Sequence, residues 1–139
     1  METDKAGIRS SPSEYGRTIN SYMFESDLPS LIEKMKASSS WKKGEMISKV
    51  LLDSPCRQIV ITALHEYTEI DSFQASDSVT FQIVEGKIYL RAGNESACLN
   101  KGQVLTLYEH INYNLTALEE TILLLTLVKD IQVQVKTKT

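Results

Sequence analysis

The hydrophobic positions change period at Trp41. Before it, one segment has helical spacing: in SDLPSLIEKMKAS, Leu28, Leu31, Ile32 and Met35 fall on one face. Ser26 or Asp27 can cap this helix, Pro29 suits its first turn, and it ends near Ala37. Its apolar stripe has to cover something, either the rest of the domain or a partner subunit. Residues 1–26 are rich in Ser, Thr, Gly and charge without a sustained period, which predicts a flexible N-terminal arm. Within it, the stretch from Thr18 to Phe24 adds a short edge segment. After the serine run Ser38 to Ser40, Trp41 is placed to plug the seam between helix and sheet.

Beyond Trp41, short β-branched and aromatic runs are broken by turn residues at close intervals, the pattern of an all-β sandwich or barrel. Strands are expected over 47–52, 57–64, 79–84, 87–91, 96–99, 104–107, 113–117, 121–128 and 131–136. Glu85-Gly86, Gly93-Asn94, Asn100-Lys101-Gly102 and Glu119-Glu120 supply the turns between them. No helix of ordinary length fits after Trp41. In the last strand Ile131, Val133 and Val135 alternate with Gln132, Gln134 and Lys136, as expected of a half-buried strand at a sheet edge or a dimer seam.

At 139 residues this is one domain, expected over 27–139, with the helix at 27–37 and the barrel over about 45–137. A hydrophobic share of 42% and a charged share of 24% suit a globular protein and give no sign of disorder or a membrane life. The net charge of -3 argues against nucleic acid or anionic lipid as a partner. The opening METDKAGIRSSPSEYGRTINSY has no apolar run, and the longest such run, ILLLTLV, is too short for a bilayer. A cytoplasmic protein is therefore expected. In that compartment Cys56 and Cys98, far apart and without CxxC spacing, read as small buried hydrophobes, not a disulfide or a nucleophile. The triplets Asn94-Glu95-Ser96 and Asn114-Leu115-Thr116 carry no weight as glycosylation sites without secretion.

The run from Val79 to Lys129, with VEGKIYL, a turn at Gly93-Asn94, NKGQVLTL and ALEETILLLTL at regular intervals, resembles the cupins. The resemblance runs from roughly Lys49 to Lys129. It implies an all-β cupin jelly-roll β-barrel of two antiparallel sheets, here with a short N-terminal helix. Cupins carry two motifs, and the last Gly of the first corresponds to Gly86. Counting back puts the Glu ligand on Val79, the two His ligands on Phe73 and Ala75, and the opening Gly on Tyr67. The second motif starts at Gly102, which puts its Pro on Tyr108, its Gly on His110, its His ligand on Tyr113 and its Asn on Ala117. Every ligand position thus holds a side chain that binds metals poorly or not at all.

Strand alternation then sends Val79, Phe81 and Ile83 to one face, and Tyr113, Leu115 and Ala117 to one face. A cavity lined by Phe73, Ala75, Val79, Phe81, Tyr113 and Leu115, with His65 and His110 near it, holds an apolar or partly polar small molecule or is simply full. Tyr113 offers its phenol as the main polar handle.

Two catalytic readings stand beside this. His65 as base and Tyr113 as acid would make a metal-independent sugar isomerase or epimerase, although Glu66 points away from His65 on a strand. Displaced ligands drawn from His65, His110, Glu66, Glu69 and Glu109 would make a metal-dependent oxygenase, although no HxH or HxxxH spacing is present. Tyr108, Glu109, His110 and Asn112 read as a surface loop at the barrel mouth. The leading expectation is a metal-free, cofactor-free cupin: a non-catalytic small-molecule-binding or sensory module, with no catalytic residue assigned. A homodimer is expected, partly from the resemblance and partly from the alternating edge strand.

Overall fold

The computed structural model describes residues 17–19, 23–72, 78–108 and 111–129. Among the described residues the first elements are β1 (Arg17–Ile19) and β2 (Met23–Glu25), which pair with each other as a separate two-stranded ribbon. The expected edge segment therefore joins neither of the two larger sheets. Two helices follow, α1 (Leu28–Ala37) and the single turn α2 (Ser39–Lys42). Asp27 is the cap of α1: its carboxylate accepts from the Ser30 hydroxyl at 3.1 Å, and Pro29 sits in the first turn. Ser38 ends α1 and starts α2, its hydroxyl donating to the Met35 carbonyl at 2.8 Å and accepting from the Trp41 N–H at 3.3 Å. The serine run thus contains a helical turn that periodicity is too short to reveal.

The rest is antiparallel β structure. β3 (Ile47–Asp53), β4 (Arg57–Leu64), β5 (Glu69–Asp71), β6 (Ser78–Glu85), β7 (Lys87–Ala92), β8 (Glu95–Asn100), β9 (Val104–Tyr108), β10 (Tyr113–Ala117) and β11 (Thr121–Val128) form two sheets. Their orders are β3-β4-β11-β6-β9 and β5-β10-β7-β8. Eight of these strands fall where the pattern places them; β5, only three residues long, has no sequence signal. The expected strand 131–136 lies outside the described residues. No helix among them is long and apolar enough to cross a membrane.

Between the sheets lies one core cluster, with Val60 and Leu64 of β4, Val79, Phe81 and Ile83 of β6, Tyr113, Leu115 and Ala117 of β10, and Leu123, Leu125 and Leu127 of β11. On the outer face of the five-stranded sheet lies a second, where Leu31, Ile32, Met35 and Trp41 of the helices cover Ile47, Leu51, Ile61, Ala63 and Ile122. Trp41 closes that seam. Cys56 and Cys98 are free and exposed, which corrects the expectation that they are buried. Cys56 lies in the β3–β4 turn and Cys98 on a sheet-edge strand, so neither reaches a core.

Two turns are locked to each other at one end of the barrel. Gly86, between β6 and β7, has φ +94° and lies so close to Glu120 and Thr121 that any side chain would collide with them. Thr121 is fully buried, its hydroxyl donating to the Glu119 carbonyl at 2.8 Å and accepting from the Lys87 N–H at 3.1 Å. From above, α1 sends Lys36 to Glu120 at 2.8 Å and to Glu85 at 3.5 Å.

The hydrogen bond to Glu120 and the charges of both carboxylates hold the Lys36 ammonium above its ordinary 10.5. Because its pKa is higher folded than unfolded, the pair's contribution is complete below 10.5 and disappears as pH rises through the folded value. We expect Lys36→Met to cost about 0.5 kcal/mol at neutral pH. In urea titrations, that difference should close at alkaline pH and be undiminished on mild acidification.

Candidate functional site

Three of the motif's glycine positions can be read directly from the backbone. Gly86 has φ +94°, Gly102 has φ +86°, and Tyr67, where the motif opens on Gly, has φ +71°. Tyr67 is the one non-glycine residue with positive φ among those described. It occupies the turn after β4, its N–H bonded to the Ala117 carbonyl, while the Thr68 N–H reaches the His65 carbonyl at 3.1 Å. Its side chain is 72% exposed, and a hydrogen bond to Glu66 holds the phenol above its usual pKa. The turn keeps a torsion that glycine would adopt freely, and a residue poorly suited to it.

The two described ligand positions point into the barrel. Val79 and Tyr113 both belong to the cluster between the sheets, each 5% exposed, with Phe81 and Leu115 beside them. Phe81 meets the ring of Tyr113 edge to face, centroids 5.1 Å apart, an arrangement that satisfies both ring quadrupoles. Phe73, Ala75 and His110 lie outside the described residues. The metal centre that the resemblance implies does not fit this donor set: an isopropyl group and a phenol replace carboxylate and imidazole. Among the described residues no three His, Cys, Asp or Glu side chains come together either.

His65 stands apart from this set. It follows Leu64, whose side chain faces the core between the sheets, and its own ring goes to the opposite side. There it lies flat on Trp41, ring centroids 3.5 Å apart and planes 16° from parallel, with Nε2 3.1 Å from the Trp41 carbonyl oxygen. Trp41 belongs to the cluster under the helices and Tyr113 to the cluster between the sheets. His65 therefore sits against the cluster under the helices, and Tyr113 in the cluster between the sheets. The placement of His65 is corrected from cavity wall to helix anchor.

What the sequence does not reveal is a polar groove of about 460 Å³ at the end of the four-stranded sheet, lined by Asp71, Ser72, Arg91, Asn112, Tyr113 and Asn114. Alternation explains it: β10 turns Tyr113 and Leu115 into the core and Asn114 outward. The register aligns Asn114 with Asp71 on one side and Arg91 on the other. Asn114 Nδ2 donates to Asp71 Oδ1 at 2.7 Å. Ser72 fixes the floor, its N–H donating to the Tyr113 carbonyl at 2.8 Å and its hydroxyl accepting from the Tyr113 N–H at 3.0 Å. A carboxylate, a carboxamide and a guanidinium thus share one row across three strands, an arrangement suited to holding a small polar molecule by hydrogen bonds. Asp71 belongs to the strand that has no sequence signal, so the row cannot be assembled by pattern.

No protein-family model and no curated protein matches the chain. Solved structures match it in fold. Salicylate 1,2-dioxygenase from Pseudoaminobacter salicylatoxidans superposes with a TM-score of 0.63 and 15% identity over 77% of this chain and 34% of its own. The Cnp3 cupin domain of Schizosaccharomyces pombe gives 0.59 and 15% over 67% and 70%. A cupin superfamily protein from Desulfitobacterium hafniense gives 0.57 and 15% over 62% and 79%. Identities this low establish architecture alone. The chain has the cupin fold, a jelly-roll barrel of antiparallel strands with a short helix before it.

The backbone at position 67 makes a direct prediction. Tyr67→Gly removes the left-handed penalty and no buried contact, so it should stabilise by about 1 kcal/mol. That corresponds to a thermal midpoint raised by roughly 3 °C in calorimetry.

Proposed function

We propose that this cupin-fold chain is a non-catalytic, cytoplasmic module that works without a metal and binds a small polar metabolite in the rim groove. The observation that carries this reading is the filling of the two described ligand positions. Val79 and Tyr113 are packed with Phe81 and Leu115 in the hydrophobic core between the sheets, and polar side chains line a groove at the end of the four-stranded sheet. A groove of about 460 Å³ lies in the range of small-molecule sites. Arg91 favours a ligand with an anionic group, and Asn114 and Asp71 supply an acceptor and donor pattern beside it. Two exposed free thiols suit a reducing compartment. The seating of His65 on Trp41 leaves the isomerase reading without its base.

The test is a thermal-shift screen of the full chain against millimolar carboxylates, sugars, sugar acids and sugar phosphates. At least one should stabilise; a ligand at one hundred times its Kd adds about 2.7 kcal/mol. Arg91→Ala should abolish the shift while leaving the unliganded midpoint within about 1 °C, as expected of an exposed substitution. A response that survives both Arg91→Ala and Asn114→Ala overturns the groove. Near-stoichiometric iron, zinc, manganese or nickel in elemental analysis of the purified protein overturns the metal-free reading.

A further inference from the structure

Among the described residues, β9 forms one edge of the five-stranded sheet and lacks the devices that usually guard an edge. Its sequence, Val104-Leu105-Thr106-Leu107-Tyr108, holds no charge and no proline, and its register against β6 is unbroken. Val104 is 57% exposed and Tyr108 68%. The opposite edge, β3, carries Lys49 and Asp53 and a register shift between Val50 and Leu52. In the other sheet, β5 is three residues long with Glu69 and Asp71, and β8 begins at Glu95. Among the described sheet edges, β9 alone combines an uncharged strand with large exposed apolar side chains.

The direction of its free hydrogen-bonding groups follows from one contact. The Ile83 N–H donates to the Gln103 carbonyl at 3.0 Å, and antiparallel ladders alternate. Leu105 and Leu107 therefore bond to β6, while Val104, Thr106 and Tyr108 turn their N–H and C=O groups outward. The strand is also symmetric in kind about Thr106, with leucine at one step on either side and a large exposed apolar residue at two.

We propose that β9 pairs antiparallel with β9 of a second copy, across a two-fold axis at Thr106. In that register Thr106 faces itself, and Val104 faces the partner's Tyr108, each an outward-directed position able to exchange both backbone hydrogen bonds. On the inner face Leu105 meets the partner's Leu107, covering side chains that each subunit leaves half-buried. On the outer face Val104 meets the partner's Tyr108, a β-branched residue against an aromatic ring. Thr126, Thr80 and Thr106 already form one row across β11, β6 and β9, with the Thr80 and Thr106 hydroxyls 2.9 Å apart. The two-fold continues that row into the second subunit. Such an isologous contact closes on itself and removes both open edges at once.

The 139-residue chain should sediment at about 31 kDa, twice its 15.6 kDa. Thr106→Pro deletes an N–H that has no acceptor among the described residues of its own subunit, so it should yield a folded monomer. Thr106→Lys, which places a charge at the seam, should do the same and decides the question if the proline variant does not fold. Paired across the axis, the two Thr106 Cα atoms stand about 5.5 Å apart, within disulfide reach. With Cys56 and Cys98 replaced by serine, Thr106→Cys should cross-link to dimer under mild oxidation, whereas Thr80→Cys, one strand inward, should not. A monomeric wild type overturns the proposal. So does a dimer that both Thr106 variants leave intact, or one that Thr106→Cys fails to cross-link; either outcome would assign the contact elsewhere, with segment 131–136 the first place to look.

Discussion

β4 and β11 are buried on both faces, and the rest of the molecule is arranged around that constraint. A strand covered on one side only needs one apolar residue in two. Here Ile61, Ala63 and Ile122 face outward, while Val60, Leu64, Leu123 and Leu125 face inward, and all are buried. The inner set requires the second sheet and the outer set requires the helices, so neither layer is dispensable. Burying one such side chain is worth about 1.5–3 kcal/mol, which makes these two strands the strongest element of the fold.

That double burial also sorts the polar chemistry. Side chains on the outer face belong to helix docking, which is where His65 is spent, flat on Trp41. Inward side chains belong to the barrel core, where a polar group survives only with a partner. Thr62 is fully buried and meets the Ser48 hydroxyl at 2.8 Å, and Thr121 bonds to backbone in the turn. On the outward face of the four-stranded sheet, Asp71, Asn114 and Arg91 align without either demand.

Strand positions were legible because period two and turn chemistry agree over 47–128: Gly86 and Gly102 both occupy the left-handed region that their turns require. The helix was legible from the spacing of Leu31, Ile32 and Met35. The side of His65 was not, because the histidine ends its strand next to a turn and its ring partner lies 24 residues earlier. Nor was the groove, which depends on a register between three strands, one of them too short to carry a pattern. Local periodicity reports which face a residue takes, and it is silent on what waits there.

Tyr67 shows what outlasts residue identity. The loop after β4 closes onto Ala117 with a left-handed residue whether or not that residue is glycine, because the carbonyl it must reach is fixed by β10. A search keyed to the amino acid at that corner, or to imidazoles on the strands around it, would pass over this chain while its torsion angles still match. Where packing side chains such as Val79 and Tyr113 stand at positions that a ligand motif would mark, main-chain geometry still identifies the fold.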